Sequence, residues 1–264
     1  VCSSDLNEIE SDESSDAQQF YGFHTSFPNL FDAFTTEAFY YSIKEKDTSK
    51  VRTRNKNFDS MGFRLRKPPS AGEFEFEIET IFQTGERRGS TAATDTTNLD
   101  HRAYFQYLML GYTFDVPSNL RLQIELDYAS GDNDPFDQDN ERFDSLFGPT
   151  TFEFAVVGLY DPFNRSNILT PGIRLFADFS PDVSLMASYR HWWLADAQDS
   201  WGRTGLRDRS GRSGRYLGQH LQLRLRWDVI PGNFRIETGG VYLDSKNLSN
   251  KEPKYFYTSA TFTF

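Results

Sequence analysis

The sequence predicts an all-β fold, a transmembrane antiparallel β-barrel, and three observations support this prediction. Apolar and polar residues alternate with a period of two through most of the chain, and no segment shows a convincing amphipathic-helix pattern. The alternating segments average about eleven residues, close to the length that a tilted strand needs to cross a bilayer. The connections alternate between short turns that contain proline and long polar loops, an arrangement typical of barrels in the outer membrane.

Composition narrows the protein classes further. The 264 residues include 38 acidic and 28 basic residues, for a formal net charge of −10, and 16% are aromatic. Disordered chains are poor in aromatic residues, and a negative net charge argues against a nucleic-acid partner. No apolar run approaches the ~20 residues of a membrane-spanning helix. The four histidines stand in no recognisable metal or hydrolase motif, so the chain is not expected to be an enzyme.

About eleven strands follow one another along the chain. The predicted ranges are 18–26, 34–45, 58–66, 73–84, 102–114, 119–130, 165–179, 182–193, 215–229, 232–244 and 254–264. Residues 1–17 lack the alternation, and we interpret them as non-native sequence or as a disordered or extracellular loop segment, which leaves 18–264 as the barrel. Because bacterial single-chain barrels have even strand numbers, further strands are expected before the start of this sequence.

The alternation assigns one apolar and one polar face to each strand. In "HLQLRLRWD" the apolar positions include Leu221, Leu223 and Trp227, and the polar positions between them include Arg224 and Arg226. An apolar face is also compatible with packing on a second sheet. Charged residues on the opposite face of about ten strands favour a barrel with lipid outside and water inside.

Aromatic residues gather near both ends of the predicted strands. The rim that holds the proline turns carries Phe114, Phe179, Trp227, Phe234, Phe262 and Phe264, and the other rim carries Tyr128, Tyr189, Trp192, Trp193 and Tyr242. Two such belts are typical of proteins that cross a membrane. The final strand places Phe256, Phe262 and Phe264 outward, which resembles the C-terminal signal that the barrel assembly machinery recognises. Outer-membrane lipid and lipopolysaccharide are therefore further expected partners.

The inward face carries the candidate residues for solute passage. The predicted lumen residues are Arg64, Arg66, Arg121, Arg174, Arg190, Arg224, Arg226, Arg235, Glu75 and Glu77. Strands 58–66 and 73–84 form a hairpin, so Arg64 and Arg66 are expected to pair with Glu75 and Glu77 across strands. The strands on either side of Arg224 and Arg226 carry Arg190 and Arg235, so the sequence predicts an excess of positive charge on this part of the inward face. Arginine pairs with carboxylates without losing its own charge, which favours an anionic solute.

Two long loops carry charges of opposite sign. The run "SGDNDPFDQDNERFD" contains Asp132, Asp134, Asp137 and Asp139, which are candidate ligands for calcium because that ion takes about six to eight oxygens. The alternative is a solvated acidic loop, since the run lacks the Asp-x-Asp-x-Asp-Gly order of a helix-loop-helix calcium site, and no cofactor is assigned. The run "GRTGLRDRSGRSGR" is interpreted as a segment that binds lipopolysaccharide phosphates, a segment folded over the pore, or a mobile loop without a specific role.

Several stretches resemble the alginate export family of outer-membrane porins. "LGYTFDVPSNLRLQIELDYASGD" has that family's strand, proline turn and second strand, and "RFDSLFGPTTFEFAVVGLYD" resembles its long loop, with Phe143, Leu146, Phe147 and Gly148 in the recurrent pattern. The resemblance implies a barrel of about eighteen strands, of which this chain would be the C-terminal part. It also implies a channel for hydrophilic, anionic sugars or for a polysaccharide such as alginate. The alternative is a non-conducting barrel that acts as a receptor or a structural anchor.

Overall fold

One antiparallel sheet contains almost all of the regular structure in the part of the chain that is described. The computed structural model describes residues 17–30, 34–49, 51–147, 163–202, 204–249 and 251–264. No helix within these ranges has the length and the hydropathy of a membrane span. The strands of these ranges, which pair in one antiparallel sheet, confirm the predicted all-β fold class.

Within the described ranges, the sheet contains eleven long strands and one very short one. They are β1 Gln18–Leu30, β2 Phe34–Glu45, β3 Asn57–Lys67, β4 Phe74–Arg87, β5 Leu99–Thr113, β6 Arg121–Ala129, β7 Asp139–Asn140, β8 Ile168–Ser180, β9 Val183–Trp193, β10 Tyr216–Ile230, β11 Phe234–Ser245 and β12 Lys254–Phe262. Each long strand overlaps one predicted range, with ends that differ by four residues at most. The two-residue β7 was not predicted, because a bridge of that length has no periodicity to detect.

Strand order follows chain order, so the sheet is an up-and-down meander. Each long strand pairs antiparallel with its neighbours in the sequence, and β7 lies off this path, in parallel pairing with β5. Short turns join the strands at one end of the sheet, which we call the turn end, and long connections such as 88–98, 130–167 and 194–215 lie at the other, the loop end. β1 and β12 stand at the two ends of the strand order. This is the wall expected for a barrel in which only local hairpins pair.

The two faces of the sheet have opposite character. The outer face exposes large apolar side chains, among them Ile124 with 63% and Phe74 with 62% of their surface accessible. The inner face buries polar side chains, including Glu125, Asp127 and Arg190. A water-soluble protein buries its apolar residues and exposes its charges. The reversed distribution suits a sheet with hydrocarbon outside and polar contents within.

At the loop end, the inner face is covered by an apolar cluster. Phe163 stacks on Trp192 with ring centroids 3.7 Å apart, and Phe143 lies 5.4 Å from Phe105. Leu194 and Trp201, from the connection after β9, complete the buried cluster. The described parts of the two longest connections that carry these residues therefore fold against the inner wall rather than away from it.

The aromatic belts agree with the sequence except at one residue. Phe179, Trp227 and Phe262 are exposed near the turn end, and Phe262 stacks on Phe234 at 4.4 Å. The prediction for Trp192 was wrong, because this side chain is fully buried inside the cluster. Consecutive residues of a strand point to opposite faces, so Trp192 and Trp193 cannot share the outer belt.

Candidate functional site

The candidate site is the inner face of the sheet, where period-two alternation aligns polar side chains from successive strands. The register continues this alignment across strands. For example, Arg64 of β3 lies opposite Glu79 of β4, and Arg226 of β10 lies opposite Glu237 of β11. Because the neighbouring strands are antiparallel, opposite residues share a face. The inner face is therefore a continuous surface of charged, polar and aromatic groups.

A buried charge cluster occupies the middle of this face. Arg190 donates to Asp127 Oδ2 at 2.7 Å and also pairs with Glu125. Arg174 donates to the other oxygen of Glu125 at 2.9 Å. Two arginines thus neutralise two carboxylates in a site that excludes most solvent, which is the condition under which buried charges are tolerated.

Arg190 reaches this cluster by crossing over a strand. Its register partner on β8 is Gly172, and the partner of Gly172 on β6 is Glu125. A Cβ on Gly172 would lie only 2.5 Å from Arg190 Cγ. The absence of a side chain on β8 therefore opens the path from β9 to β6. Arg190 was predicted to contribute excess positive charge, and this prediction was wrong, because Glu125 and Asp127 of β6 neutralise it. The sequence does not show that these carboxylates, two strands away, are within its reach.

The hairpin β3–β4 forms the expected pair between Arg64 and Glu77, but Glu75 does not pair with either arginine of β3. Arg64 bridges Glu77 at 2.7 Å and Glu37 of β2 at 3.3 Å. Glu75 instead faces β6, where Gln123 Nε2 donates to it at 3.0 Å and Arg121 lies 3.7 Å away. The turn after β3 is longer than a two-residue turn, and this sets which residues lie opposite each other.

The exposed Arg66 lies opposite Glu77. Glu77 Oε1 contacts Arg64, and no carboxylate among the described residues lies within ion-pair distance of Arg66. The expected Arg66 pair is therefore not formed.

A cluster of arginines lies near the turn end. Arg121, Arg224 and Arg226 line a cavity of about 420 Å³, and Asp178 is the only acidic residue among the described residues of its lining. Arg226 donates to Glu237 at 2.5 Å, and Tyr257 donates to the second oxygen of Glu237 at 2.8 Å. Both oxygens of Glu237 are thus engaged by other groups. We call Arg121, Arg224 and Arg226 the arginine cluster.

Within the arginine cluster, Arg224 differs from its neighbours. It is half-buried, and no carboxylate of the described residues lies within ion-pair distance of its guanidinium group. Arg235, by contrast, forms a two-pronged pair with Asp228 at 2.6 and 3.0 Å. Arg121 lies over the ring of Phe176 at 4.0 Å. Excess positive charge on this part of the face is therefore concentrated on Arg224.

Ion pairs and hydrogen bonds hold the segment 143–147 of the longest connection against the inner wall. Asp144 pairs with Lys56 at 2.8 Å and with Arg87 at 2.9 Å. The Gln83 amide donates to the Asp144 carbonyl at 2.7 Å, and the Asp144 N–H donates back to Gln83 Oε1 at 2.9 Å. Burial tends to raise the pKa of Asp144, but Lys56 and Arg87 overcome this and hold it well below its usual range. The carboxylate therefore stays ionised at neutral pH and holds the loop inside.

The sequence offered no signal for Gln83 or for His101, which supports it. His101 is buried, with Nδ1 3.0 Å from the Asn140 carbonyl and Nε2 3.3 Å from Gln83 Oε1. Both residues occupy ordinary inward strand positions, and only the folded loop shows their role. Gly148, the last residue of the predicted loop pattern, lies outside the described residues.

The calcium candidates do not come together. The Asp134 carboxylate accepts from the Phe136 N–H at 3.0 Å, and the Asp137 carboxylate accepts from the Asp139 N–H at 2.9 Å, so each caps a turn. Asp132 points instead toward Arg207, 3.8 Å away. Within the ranges that the structure describes, no group of three His, Cys, Asp or Glu side chains is arranged to hold a metal. Asp139 belongs to the short β7, where it lies opposite Asp100 of β5.

A polar junction joins the two longest connections. Arg142 donates to Asp199 at 3.1 Å and to the Gly202 carbonyl at 2.8 Å. Arg207, from the arginine-rich run, lies 3.7 Å from the same carboxylate. The Asp132 N–H donates to Asp199 at 3.1 Å. Arg207 of the arginine-rich run therefore contacts both of the two longest connections, through Asp132 and Asp199.

Comparison with known proteins found one family model and structurally similar chains. The family model for alginate export matches residues 4–245 of the chain. Among solved structures, a NanC porin in a rhombohedral crystal form aligns with a TM-score of 0.43 and 8% identity, over 95% of this chain and 96% of that one. No curated protein sequence matches the chain.

Proposed function

The chain belongs to the alginate export family, and on that premise we propose that it forms an outer-membrane channel for hydrophilic, anionic saccharides. Family membership supports a transport channel in the outer membrane rather than an enzyme. The proposal adds the chemical class of the solute. It is the same class that the inward arginines suggest from the sequence.

The observation that carries this proposal is the composition of the arginine cluster. Three arginines and one aspartate line its cavity, and Arg224 has no carboxylate of the described residues within ion-pair distance. A guanidinium group binds a carboxylate through two parallel hydrogen bonds. Charges on a narrow, low-dielectric wall are screened less than surface charges, so they raise the local concentration of the opposite ion. The cluster would therefore favour solutes that carry carboxylates.

The buried charge cluster has a different part in this proposal. Arg174 and Arg190 are matched by Glu125 and Asp127, so they add little net charge to the lumen. They instead hold β6, β8 and β9 together on the inner side. Selectivity is assigned to the arginine cluster, and rigidity of the wall to the buried pairs.

A non-conducting receptor or anchor is the second candidate function. The apolar cluster of Phe143, Phe163 and Trp201 on the inner wall favours it, because folded loops that fill a lumen would stop solute flow. Planar bilayers containing the full-length protein separate the two functions. Discrete conductance steps support the channel, and a folded, inserted protein without them supports the receptor.

The solute class is tested by the reversal potential under a salt gradient. We expect the wild-type channel to prefer anions and Arg224→Ser to move the reversal potential toward cation preference. Arg102→Ser is the matched control, since it removes the same charge from an exposed side chain at the loop end. The shift should shrink at high ionic strength, where charges are better screened. An unchanged potential in the Arg224 variant would contradict the role of the arginine cluster.

A further inference from the structure

A second feature of the inner face is a row of aromatic rings toward the loop end. Phe147 lies 5.0 Å from Phe20, and Phe20 stacks on Tyr41 at 5.5 Å. Tyr41 lies 5.5 Å from Phe39, and Phe39 stacks on His24 at 5.8 Å. We call these five side chains the aromatic row. They come from β1, β2 and the segment 143–147, and each ring contacts the next.

Strand periodicity and one glycine place the aromatic row on the inner face. Phe39 and Tyr41 are alternate residues of β2 and lie opposite Gly62 and Ser60, which share a face with Arg64. A Cβ on Gly62 would lie 2.1 Å from the Phe39 ring. The ring therefore rests directly on the backbone of β3. It is held against the wall, and it lines the adjoining cavity of about 410 Å³.

The aromatic row is not part of the apolar core. None of its members belongs to the buried cluster at the loop end. Phe20 is 43% exposed and Phe147 60% exposed, although large rings in a core are usually covered. Exposed rings that border a cavity are available to a ligand.

The opposite side of the cavity is polar and balanced in charge. Arg64 is held by Glu37 and Glu77, and Arg165 lies 3.2 Å from Glu79. Paired guanidinium and carboxylate groups still offer donors and acceptors to a third group. Unlike the arginine cluster, the described lining of this cavity has no marked excess of one charge, since Arg64 and Arg165 are accompanied by Glu37, Glu79 and Asp144. It therefore does not select its ligand by charge.

From this juxtaposition we infer that the cavity beside the aromatic row binds the pyranose ring of a saccharide. One face of a pyranose presents C–H groups, which are attracted to the negative face of an aromatic ring. Its edge carries hydroxyl groups, which need both donors and acceptors. The volume falls in the range of about 300–1,000 Å³ that is common for small-ligand sites. This inference rests on the proposed function, because it assigns the ring of the same solute to one site and its carboxylate to the arginine cluster.

The two sites lie at different heights along the strands. The aromatic row borders Ser60 and Gln83, toward the loop end, and the arginine cluster borders Pro69 and Asn119, near the turns. A chain of sugar units passing through would contact both. Binding of a neutral saccharide should then depend on the aromatic row alone, and binding of an acidic one on both sites.

The test is calorimetric titration of the folded full-length protein in detergent, with maltohexaose and a galacturonate hexamer as probes. Phe39→Leu removes the ring but keeps an apolar side chain, and we expect it to weaken binding of both probes by roughly three- to ten-fold, the loss of one ring contact. Tyr40→Leu is the matched control, because Tyr40 is the next residue of β2 and contacts Phe23 on the outer face. Tyr41→Leu is a second variant of the row. Folding of each variant is checked by its heat-modifiable mobility.

The outcomes separate this inference from the proposed function. If wild-type protein does not bind maltohexaose, or if neither Phe39→Leu nor Tyr41→Leu weakens its binding, the saccharide site is overturned. Those results do not contradict the role of the arginine cluster if Arg224→Ser weakens binding of the galacturonate hexamer but not binding of maltohexaose. Loss of that selective effect, with an intact response to Phe39→Leu, would instead overturn the anionic selectivity and keep the saccharide site.

Discussion

Gly172→Ala should destabilise the barrel wall because the new methyl group would displace Arg190 of the adjacent strand β9. The new methyl group would stand 2.5 Å from Arg190 Cγ and 3.2 Å from Nε. Cγ belongs to the aliphatic stem of the arginine and Nε joins that stem to the rest of the guanidinium group, so the side chain must move as a whole. Moving it separates the guanidinium group from Glu125 and Asp127, both of which are buried.

The size of the effect follows from the type of interaction that is lost. Breaking a buried ion pair costs about 3–5 kcal/mol, because a charge is left without its partner. Arg174 remains beside Glu125 at 2.9 Å and offsets part of this, so we expect a loss of about 3 kcal/mol. For comparison, ordinary surface substitutions change stability by about 0.5 kcal/mol or less.

The assay is reversible denaturant unfolding of the protein in lipid vesicles, followed by tryptophan fluorescence. Gly240→Ala is the matched control, because its Cβ would meet only the Tyr255 carbonyl at an ordinary 3.4 Å. The double variant Gly172→Ala with Arg190→Met should lose much less than the sum of the single changes, since both act on one interaction. Equal stability of Gly172→Ala and wild type would refute the proposed path of Arg190 over β8.

Two further predictions concern the end of the chain and the loop junction. Phe264→Asp should abolish insertion into the outer membrane while synthesis continues, because it places a charge on the predicted assembly signal, and normal amounts of heat-modifiable barrel in this variant would contradict that role. Burial, and next the nearby carboxylate of Asp199, raise the pKa of Asp132 to about 6. Arg207 lowers this pKa in part, and Asp137 and Glu141 raise it by smaller amounts. Since the folded-state pKa lies above the unfolded value of about 3.9, the group stabilises the fold most below pH ~4, and this stabilisation is lost as the pH rises through about 6. Asp132→Asn should therefore reduce the change in protease resistance of the loops between pH 4 and pH 7, and an undiminished change would locate the titrating group elsewhere.

The sequence supported the fold better than it supported individual contacts. Alternation located every long strand of the described ranges because each strand presents one face to lipid and one to the lumen, and this contrast repeats every second residue. The facing of Arg224 and Arg226 followed from the same pattern. The prediction that Trp192 belongs to the outer aromatic belt was wrong. It grouped Trp192 with nearby aromatic residues, although the alternation of faces along β9 places Trp192 and Trp193 on opposite sides of the sheet.

By itself, therefore, the sequence determined the strands, their faces and the sorting of turns and loops, since these depend on local periodicity and on nearest-neighbour hairpins. Only the tertiary structure decided which inward charges are matched. Arg190 is neutralised two strands away through the gap at Gly172, whereas Arg224 has no such carboxylate among the described residues, because both oxygens of Glu237 are engaged by Arg226 and Tyr257. It also decided that the loop around Asp144 lies inside, next to the aromatic row. These contacts join residues far apart in the chain, and they depend on register and side-chain reach, which no local pattern encodes.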